Sequence, residues 1–299
     1  MLFAITAQQM LPVLRNRGVL PKLRIRSVAA AAFLCVTLFD AHISLAEDSV
    51  LHSIELCNGI ERSTAGSQIR GCTAVINSKA ATSVGLAIAY NNRADAYISE
   101  GKYDLALADY DRAVVLNPRF AKAYNNRGVA YAKTGELDRA LQNFAAAIEL
   151  DGHYANPYVN RADVYLRQLE FQKASSDYDA ALKIKSDLSK AWSGRCWARA
   201  QIGKLPEALK DCEEALRNGP DTSALQARGF IHLKMKQWDA ATSDYEAALK
   251  REPKLAAALY GRGLASLHKG DRNGAQADMA AAQQLDSTVS TSFKTAGLE

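Results

Sequence analysis

The 299-residue chain is predicted to be all-α, an α-α superhelical solenoid of stacked helical pairs with a divergent helical pair ahead of it. Two observations predict it. A block of 34 residues recurs, with the same residue types in the same places, over most of the chain. Inside each block, apolar residues recur at spacings of three and four and are interrupted once by a turn residue, as two amphipathic helices require. A unit of this kind buries its apolar face only by stacking on its neighbours. The array is therefore elongated, and its function is expected on a surface rather than in a pocket.

The register is set by stretches 87–120, 121–154 and 155–188. Slot four holds Tyr90, Tyr124 and Tyr158; slot seven Arg93, Arg127 and Arg161; slot eleven Tyr97, Tyr131 and Tyr165. Slot twenty holds Ala106, Ala140 and Ala174, and slot twenty-four Tyr110, Phe144 and Tyr178. In the second stretch Ala121, Tyr124, Gly128 and Tyr131 share one helical face. Gly135 ends that helix, where a positive φ is wanted. Ala140, Phe144, Ala147 and Ile148 form the apolar face of the second helix. A small residue in slot eight (Ala94, Gly128, Ala162, Cys196, Gly229, Gly263) lets the two helices approach closely. Pro118, Pro220 and Pro253 stop second helices, since proline cannot continue one.

On these residues the pattern resembles the tetratricopeptide repeat, whose landmarks are an aromatic, then Gly and Tyr, then Ala, Phe and Pro at set offsets. Six repeats are read: 87–120, 121–154, 155–188, 189–221, 222–255 and 256–288. Departures are Leu169 and Lys236 in place of the turn glycine, Arg199 and His232 in place of the slot-eleven tyrosine, and one residue missing near Asp221. The resemblance implies a concave groove lined by slots two, five, nine, twelve and thirteen of the first helices. In the first three repeats these are largely polar, with Asn91, Asp95, Lys122, Asn125, Lys133, Asn156, Asp163 and Arg167 among them. In the last three they turn apolar: Trp197, Phe230, Leu233, Tyr260, Leu264 and Leu267. An exposed apolar patch of that size marks a binding site for an extended peptide or an amphipathic helix. The alternative is burial against an adjoining helix or the C-terminal tail. Asn91, Asn92, Asn125, Asn126 and Lys122 are expected to hydrogen-bond a partner's polar groups. The carboxylate clamp by which some members of the family hold chaperone tails is incomplete, because Asn91, Asn125 and Val159 stand where lysine is needed and Asp95 and Asp163 where asparagine is.

The ends differ from the array. Residues 1–46 read as a secretory signal peptide: a basic region ending at Arg26, an apolar run over 28–39, then Ser44-Leu45-Ala46 ahead of Glu47-Asp48. The apolar run falls short of the roughly 20 residues that cross a bilayer. An uncleaved anchor or a cytosolic amphipathic start is the alternative. The expected destination is export, in the periplasm, with no membrane insertion after cleavage. Residues 47–86 read as a divergent cap with helices near 49–57 and 67–77, and 289–299 as a flexible tail. With no polar cap helix after repeat six, the face over 274–285 is free to meet a second copy, so a homodimer is the alternative partner.

Cleavage after Ala46 leaves Cys57, Cys72, Cys196 and Cys212. An even number in an exported chain suggests two disulfides, and a stiff array favours the local pairs 57–72 and 196–212; buried free thiols are the alternative. Slot seven is Arg throughout (Arg93, Arg127, Arg161, Arg195, Arg228, Arg262) and slot twenty-three acidic in five repeats (Asp109, Asp177, Asp211, Asp244, Asp278), with Asn143 in the other. An internal ladder of bidentate ion pairs is expected, against the alternative of a cationic stripe for an acidic partner.

The net charge of +5 excludes less than it suggests. Residues 1–46 carry +4 and the remainder +1, so nucleic acid is not the expected partner. His52, His153, His232 and His268 stand at no metal-ligand spacing, and neither a nucleophile elbow nor a phosphate loop is present. No cofactor, metal or catalytic activity is expected. The sequence predicts a protein-binding scaffold of the cell envelope, with a self-associating structural protein as the alternative.

Overall fold

The computed structural model describes residues 51–59, 64–78, 81–217, 219 and 221–298. Among these, fifteen helices and no strand are found, and no helix is long and apolar enough to cross a membrane. The expected signal peptide lies outside the described residues. The chain divides into two units, before and after Lys79.

The first unit contains α1 (residues 51–58) and α2 (Ala65–Asn77). Thr64 caps α2 by accepting from the Ser67 amide at 3.2 Å. Cys57 and Cys72 are buried and joined by a disulfide, with Cα atoms 4.5 Å apart. Gln68 Nε2 donates to the Cys57 carbonyl across the same contact. Two short helices bury little apolar surface, so the crosslink supplies much of what holds them together.

The second unit is the array. Its pairs are α3 (Ser83–Ser99) with α4 (Tyr103–Leu116), α5 (Ala121–Thr134) with α6 (Leu137–Leu150), and α7 (Ala155–Arg167) with α8 (Phe171–Ile184). Then come α9 (Ser189–Gln201) with α10 (Leu205–Arg217), α11 (Thr222–Lys234) with α12 (Trp238–Arg251), and α13 (Ala256–His268) with α14 (Arg272–Leu285). Every helix up to α13 packs on its own partner and on the neighbouring pair, α14 packs on α13 and on the short helix that follows it, and first helices also touch the first helices on either side. The slot-twenty alanines are sealed in these contacts. A Cβ added to Gly128 would lie 2.6 Å from Phe144 Cε1, which shows why slot eight stays small. In the fourth repeat slots eight and twenty-four are Cys196 and Cys212, fully buried and disulfide-bonded, with Cα atoms 5.3 Å apart. Closing a loop of that length contributes roughly 3 kcal/mol.

Two boundaries correct the sequence reading. The array opens at Ser83, four residues ahead of the expected start, because Thr82 caps α3 by accepting from the Gly85 amide. The expected cap segment 47–86 therefore ends before that helix. Residues 289–299, expected to be a flexible tail, contain α15 (Val289–Thr295), whose Val289 and Phe293 are buried. Those two apolar side chains find a seat on the array, described below.

The turn between paired helices uses the left-handed region at Gly101, Gly135, Gly203 and Gly270, with φ of 72°, 87°, 79° and 91°. Leu169 and Lys236 fill the same slot at φ of 60° and 58°. A side chain held there costs roughly 1–2 kcal/mol. Leu169 is also exposed and gains nothing by burial. Leu169→Gly and Lys236→Gly are each expected to raise stability by roughly 0.5–1 kcal/mol, the strain relief less the extra freedom of an unfolded glycine. Denaturant midpoints with unchanged m-values are the check.

Candidate partner-binding groove

The first helices pack on one another along one face of the array, and each is clasped to its second helix by an arginine, five of the six through a fork. Arg93 donates to Asp109 through Nε at 2.7 Å and Nη2 at 2.8 Å. Arg161 holds Asp177 at 2.7 and 2.8 Å, and Arg262 holds Asp278 at the same distances. Arg195 holds Asp211 at 2.9 and 2.7 Å, and Arg228 holds Asp244. In the second repeat Arg127 Nε donates to Asn143 Oδ1 at 2.8 Å instead. The Asp109, Asp177, Asp244 and Asp278 hydrogen bonds raise the pKa of their arginines above the ordinary value.

A second row of acids, which the sequence reading missed, ties one repeat to the next. Arg127 Nη1 donates to Asp111 of α4 at 2.6 Å, and Arg195 Nη1 to Asp179 of α8 at 2.5 Å. Glu213 and Glu246 in the same slot, twenty-five, attract Arg228 and Arg262. Arg199, which departs from the slot-eleven tyrosine, joins Asp211 at 2.8 Å and Asp179 at 3.0 Å. The signal in the sequence is an acid two positions after the slot-twenty-three residue, and it carries across the repeat boundary.

In the first half of the groove the asparagines make a chain of their own. Asn126 Nδ2 donates to Asn91 Oδ1 at 3.2 Å and to Asp95 Oδ1 at 3.0 Å. Asn160 Nδ2 donates to Asn125 Oδ1 at 2.9 Å. Asn91 is fully buried and Asn125 nearly so, with their amides turned to Asn92, Asp95 and Asn126. These two, expected to meet a partner, instead brace adjacent first helices; a buried amide must be satisfied internally. Asn92 and Asn126 are half-buried, and Lys122 is exposed.

Slot nine sets a further pattern. Asp95 accepts from the Tyr110 hydroxyl and Asp163 from the Tyr178 hydroxyl, each at 2.5 Å. Burial raises the Asp95 carboxyl above its usual range, while the Tyr110 hydroxyl, Lys122, Asn126 and Asn91 pull it back. Burial and the facing carboxylates push both phenols far above theirs. In repeat five slot nine is Phe230, and the Tyr245 hydroxyl is buried without a partner. Gly261 leaves room for its tip: a Cβ there would lie 2.6 Å from the hydroxyl oxygen.

Midway along the groove a cavity of about 170 Å³ is lined by Asn156, Val159, Asn160, Leu188 and Lys190. Its floor is apolar and its rim polar. Lys190 is ion-paired to Asp163 at 2.5 Å yet largely exposed, and Asn156 is exposed.

The apolar half is not open. Phe230, Leu233, Tyr260 and Leu264 are 4%, 1%, 6% and 4% exposed. Phe293 of α15 packs on Phe230 and Tyr260, with ring centroids 6.1 and 5.1 Å apart. Val289, Ala296 and Leu298 join the same core, as does half-buried Trp197, 5.0 Å from Phe230. Leu267 alone of the six expected apolar groove residues stays exposed, at 45%. The correction is that this wall is built but already carries a helix of its own chain.

The fold defines an array of stacked helical pairs whose first helices adjoin along one face. The chain belongs to the tetratricopeptide repeat family. Family models described as TPR repeat or tetratricopeptide repeat match residues 94–135, 121–154, 159–222 and 227–288, together more than half of it. It is 36% identical over 66 residues to Hsp70-Hsp90 organizing protein 3 of Arabidopsis thaliana, 22% of this chain and 12% of that protein. Hsp70-Hsp90 organizing protein 1 of Glycine max is 33% identical over the same length and share. The chain thus spans a small part of the curated relatives it matches. Among solved structures, a tetratricopeptide repeat protein from Parabacteroides merdae shares the fold at a TM-score of 0.61 and 18% identity, over 84% of this chain and 99% of that one. PilW, described as a type IV pilus biogenesis factor, does so at 0.61 and 18%, over 70% and 98%.

The slot-nine pattern predicts opposite outcomes for one substitution. Tyr110→Phe takes the nearest of three donors from the half-buried Asp95 carboxylate, leaving Asn126 and Asn91, and is expected to cost roughly 1–3 kcal/mol. Tyr245→Phe removes an orphaned hydroxyl and is expected to be neutral or stabilising by up to about 1 kcal/mol. Urea unfolding of both variants checks the contrast.

Proposed function

We propose that this protein is a non-catalytic scaffold of the cell envelope that binds another protein along its concave face. The observation that carries the proposal is that the face already holds a short helix in its apolar half, through residues in the slots that line the groove. A wall shaped to seat α15 has the form required for peptide recognition by a groove. The open half adds a cavity with an apolar floor and an amide and ammonium rim, suited to one side chain and the backbone of an extended segment. The array is stiff, so the partner bears most of the ordering cost. Family membership supports protein binding in general. The basic-apolar-small order of the first 46 residues and the two disulfides support export to an oxidising compartment, the periplasm.

The relatives' chaperone connection is not transferred. Asp95 and Asp163 occupy slot nine, where they repel a carboxylate, and the Asn91 and Asn125 amides are spent within the protein.

The test is capture from envelope extract by the wild type and by Asn156→Ala/Lys190→Ala, two exposed rim positions. A partner held by the wild type and weakened at least about tenfold by the variant supports the reading; that loss corresponds to roughly 1.4 kcal/mol. Equal capture contradicts a concave site there. No capture by either, with a concentration-dependent dimer in sedimentation, favours the self-associating structural protein. Leu285 on α14, 47% exposed, is the surface that reading uses.

A further inference from the structure

The apolar half of the groove has an occupant, and the occupant is weakly built. α15 has seven residues, Val289 to Thr295, too few to be stable in isolation. No side chain caps its start. Its apolar contacts run through Val289 and Phe293, four positions apart on one face, with Ala296 at its C-terminal end and Leu298 after the Gly297 turn at φ of 74°. The remaining residues include Ser290, Thr291, Ser292 and Thr295, which are polar and, Ser290 apart, exposed. Only Asp286, Ser287 and Thr288 connect it to α14, and Asp286 closes a local turn by accepting from the Thr288 amide and hydroxyl at 2.8 and 2.7 Å. The seat is more substantial than what sits in it. Phe230 and Leu264 come from slot nine and Tyr260 from slot five of successive first helices, with Trp197 behind them.

We propose that α15 is an internal stand-in for the partner, covering a seat whose true ligand is a short helical segment with an aliphatic residue and, four positions later, an aromatic one. The inference rests on the concave face being the partner site and adds the partner's chemistry and a gate. A covalently attached occupant competes at high effective concentration, so it screens out weak ligands. A partner's apparent affinity is its intrinsic affinity reduced by the fraction of molecules with the seat vacant. Partners that present the apolar pair on a longer, better formed helix displace α15. Segments that match it poorly do not.

The experiment uses the whole chain and a fluorescein-labelled peptide of the chain's own residues 286–298 as probe, read by anisotropy. Val289→Ala/Phe293→Ala removes the occupant's two anchors and leaves the wall untouched. This variant is expected to bind the probe at least about tenfold more tightly than the wild type. Adding Trp197→Ala to it is expected to weaken the probe again. Because that third change touches core packing, a shift in Trp197 emission as probe is titrated into the double variant provides a second readout of the same seat. Equal binding by wild type and double variant overturns the gate. Absence of binding to both overturns the seat as a ligand site, while partner capture through Asn156 and Lys190 would stand. A wild type that sediments as a dimer and a double variant that sediments as a monomer would mean that a second copy's α15 fills the seat, which also overturns the proposal.

Discussion

The array depends on one interaction repeated along it: a slot-seven arginine on each first helix, forked onto the second helix. The guanidinium suits the position because its planar donors meet a carboxylate in two parallel bonds. Asp211 and its arginine are nearly out of water, with side chains 3% and 11% exposed. Removing one member of such a pair leaves a buried charge and costs roughly 3–5 kcal/mol, whereas replacing both with apolar groups is often tolerated. The forks therefore fix geometry more than they add stability. They hold the angle between paired helices, and the slot-twenty-five acids extend the hold to the next repeat. The alignment of the first helices along one face follows from both.

With the frame fixed, slots five, six, nine and twenty-four are free to vary together, and their variation divides the groove. Where slot nine is aspartate, slot twenty-four is tyrosine, and a hydroxyl-carboxylate bond closes the pair, as in Asp95 with Tyr110 and Asp163 with Tyr178. Where slot nine is Trp197, Phe230 or Leu264, no acceptor remains, and the aromatic or aliphatic surface must be covered instead. Tyr245 keeps a hydroxyl that its repeat no longer satisfies. The first half of the face is thus braced by polar contacts beside a cavity, and the second half is an apolar wall that α15 covers.

The repeat register, the helix pairs and the family were legible because they rest on short-range periodicity and on residues that recur many times. The contacts of Arg93, Arg161, Arg195, Arg228 and Arg262 follow from that register, since slots seven and twenty-three always face. Two features were not legible, and a third was legible only as an alternative, burial of the wall against the C-terminal tail. The start at Ser83 lies ahead of the first landmark, and only the Thr82 cap marks it. The burial of Asn91 and Asn125 is hidden because an amide reads as surface until its partners on the next repeat are known. α15 carries just two apolar residues among hydroxyls, too few for a periodic signal, and its docking is set by Phe230 and Tyr260 some 30 to 60 residues earlier. Long-range covering of an apolar wall leaves no local trace in the segment that covers it.

The account makes α15 a replaceable part on a permanent wall, and that difference in local stability is directly measurable. Hydrogen exchange of the intact chain reports it, because opening free energies differ from segment to segment. Amides of 289–298 are predicted to exchange fastest among the array's helices, while α11 and α13, which carry Phe230 and Tyr260, stay protected. Protection of 289–298 equal to that of α13 and α14 would make α15 an integral cap and would contradict the account.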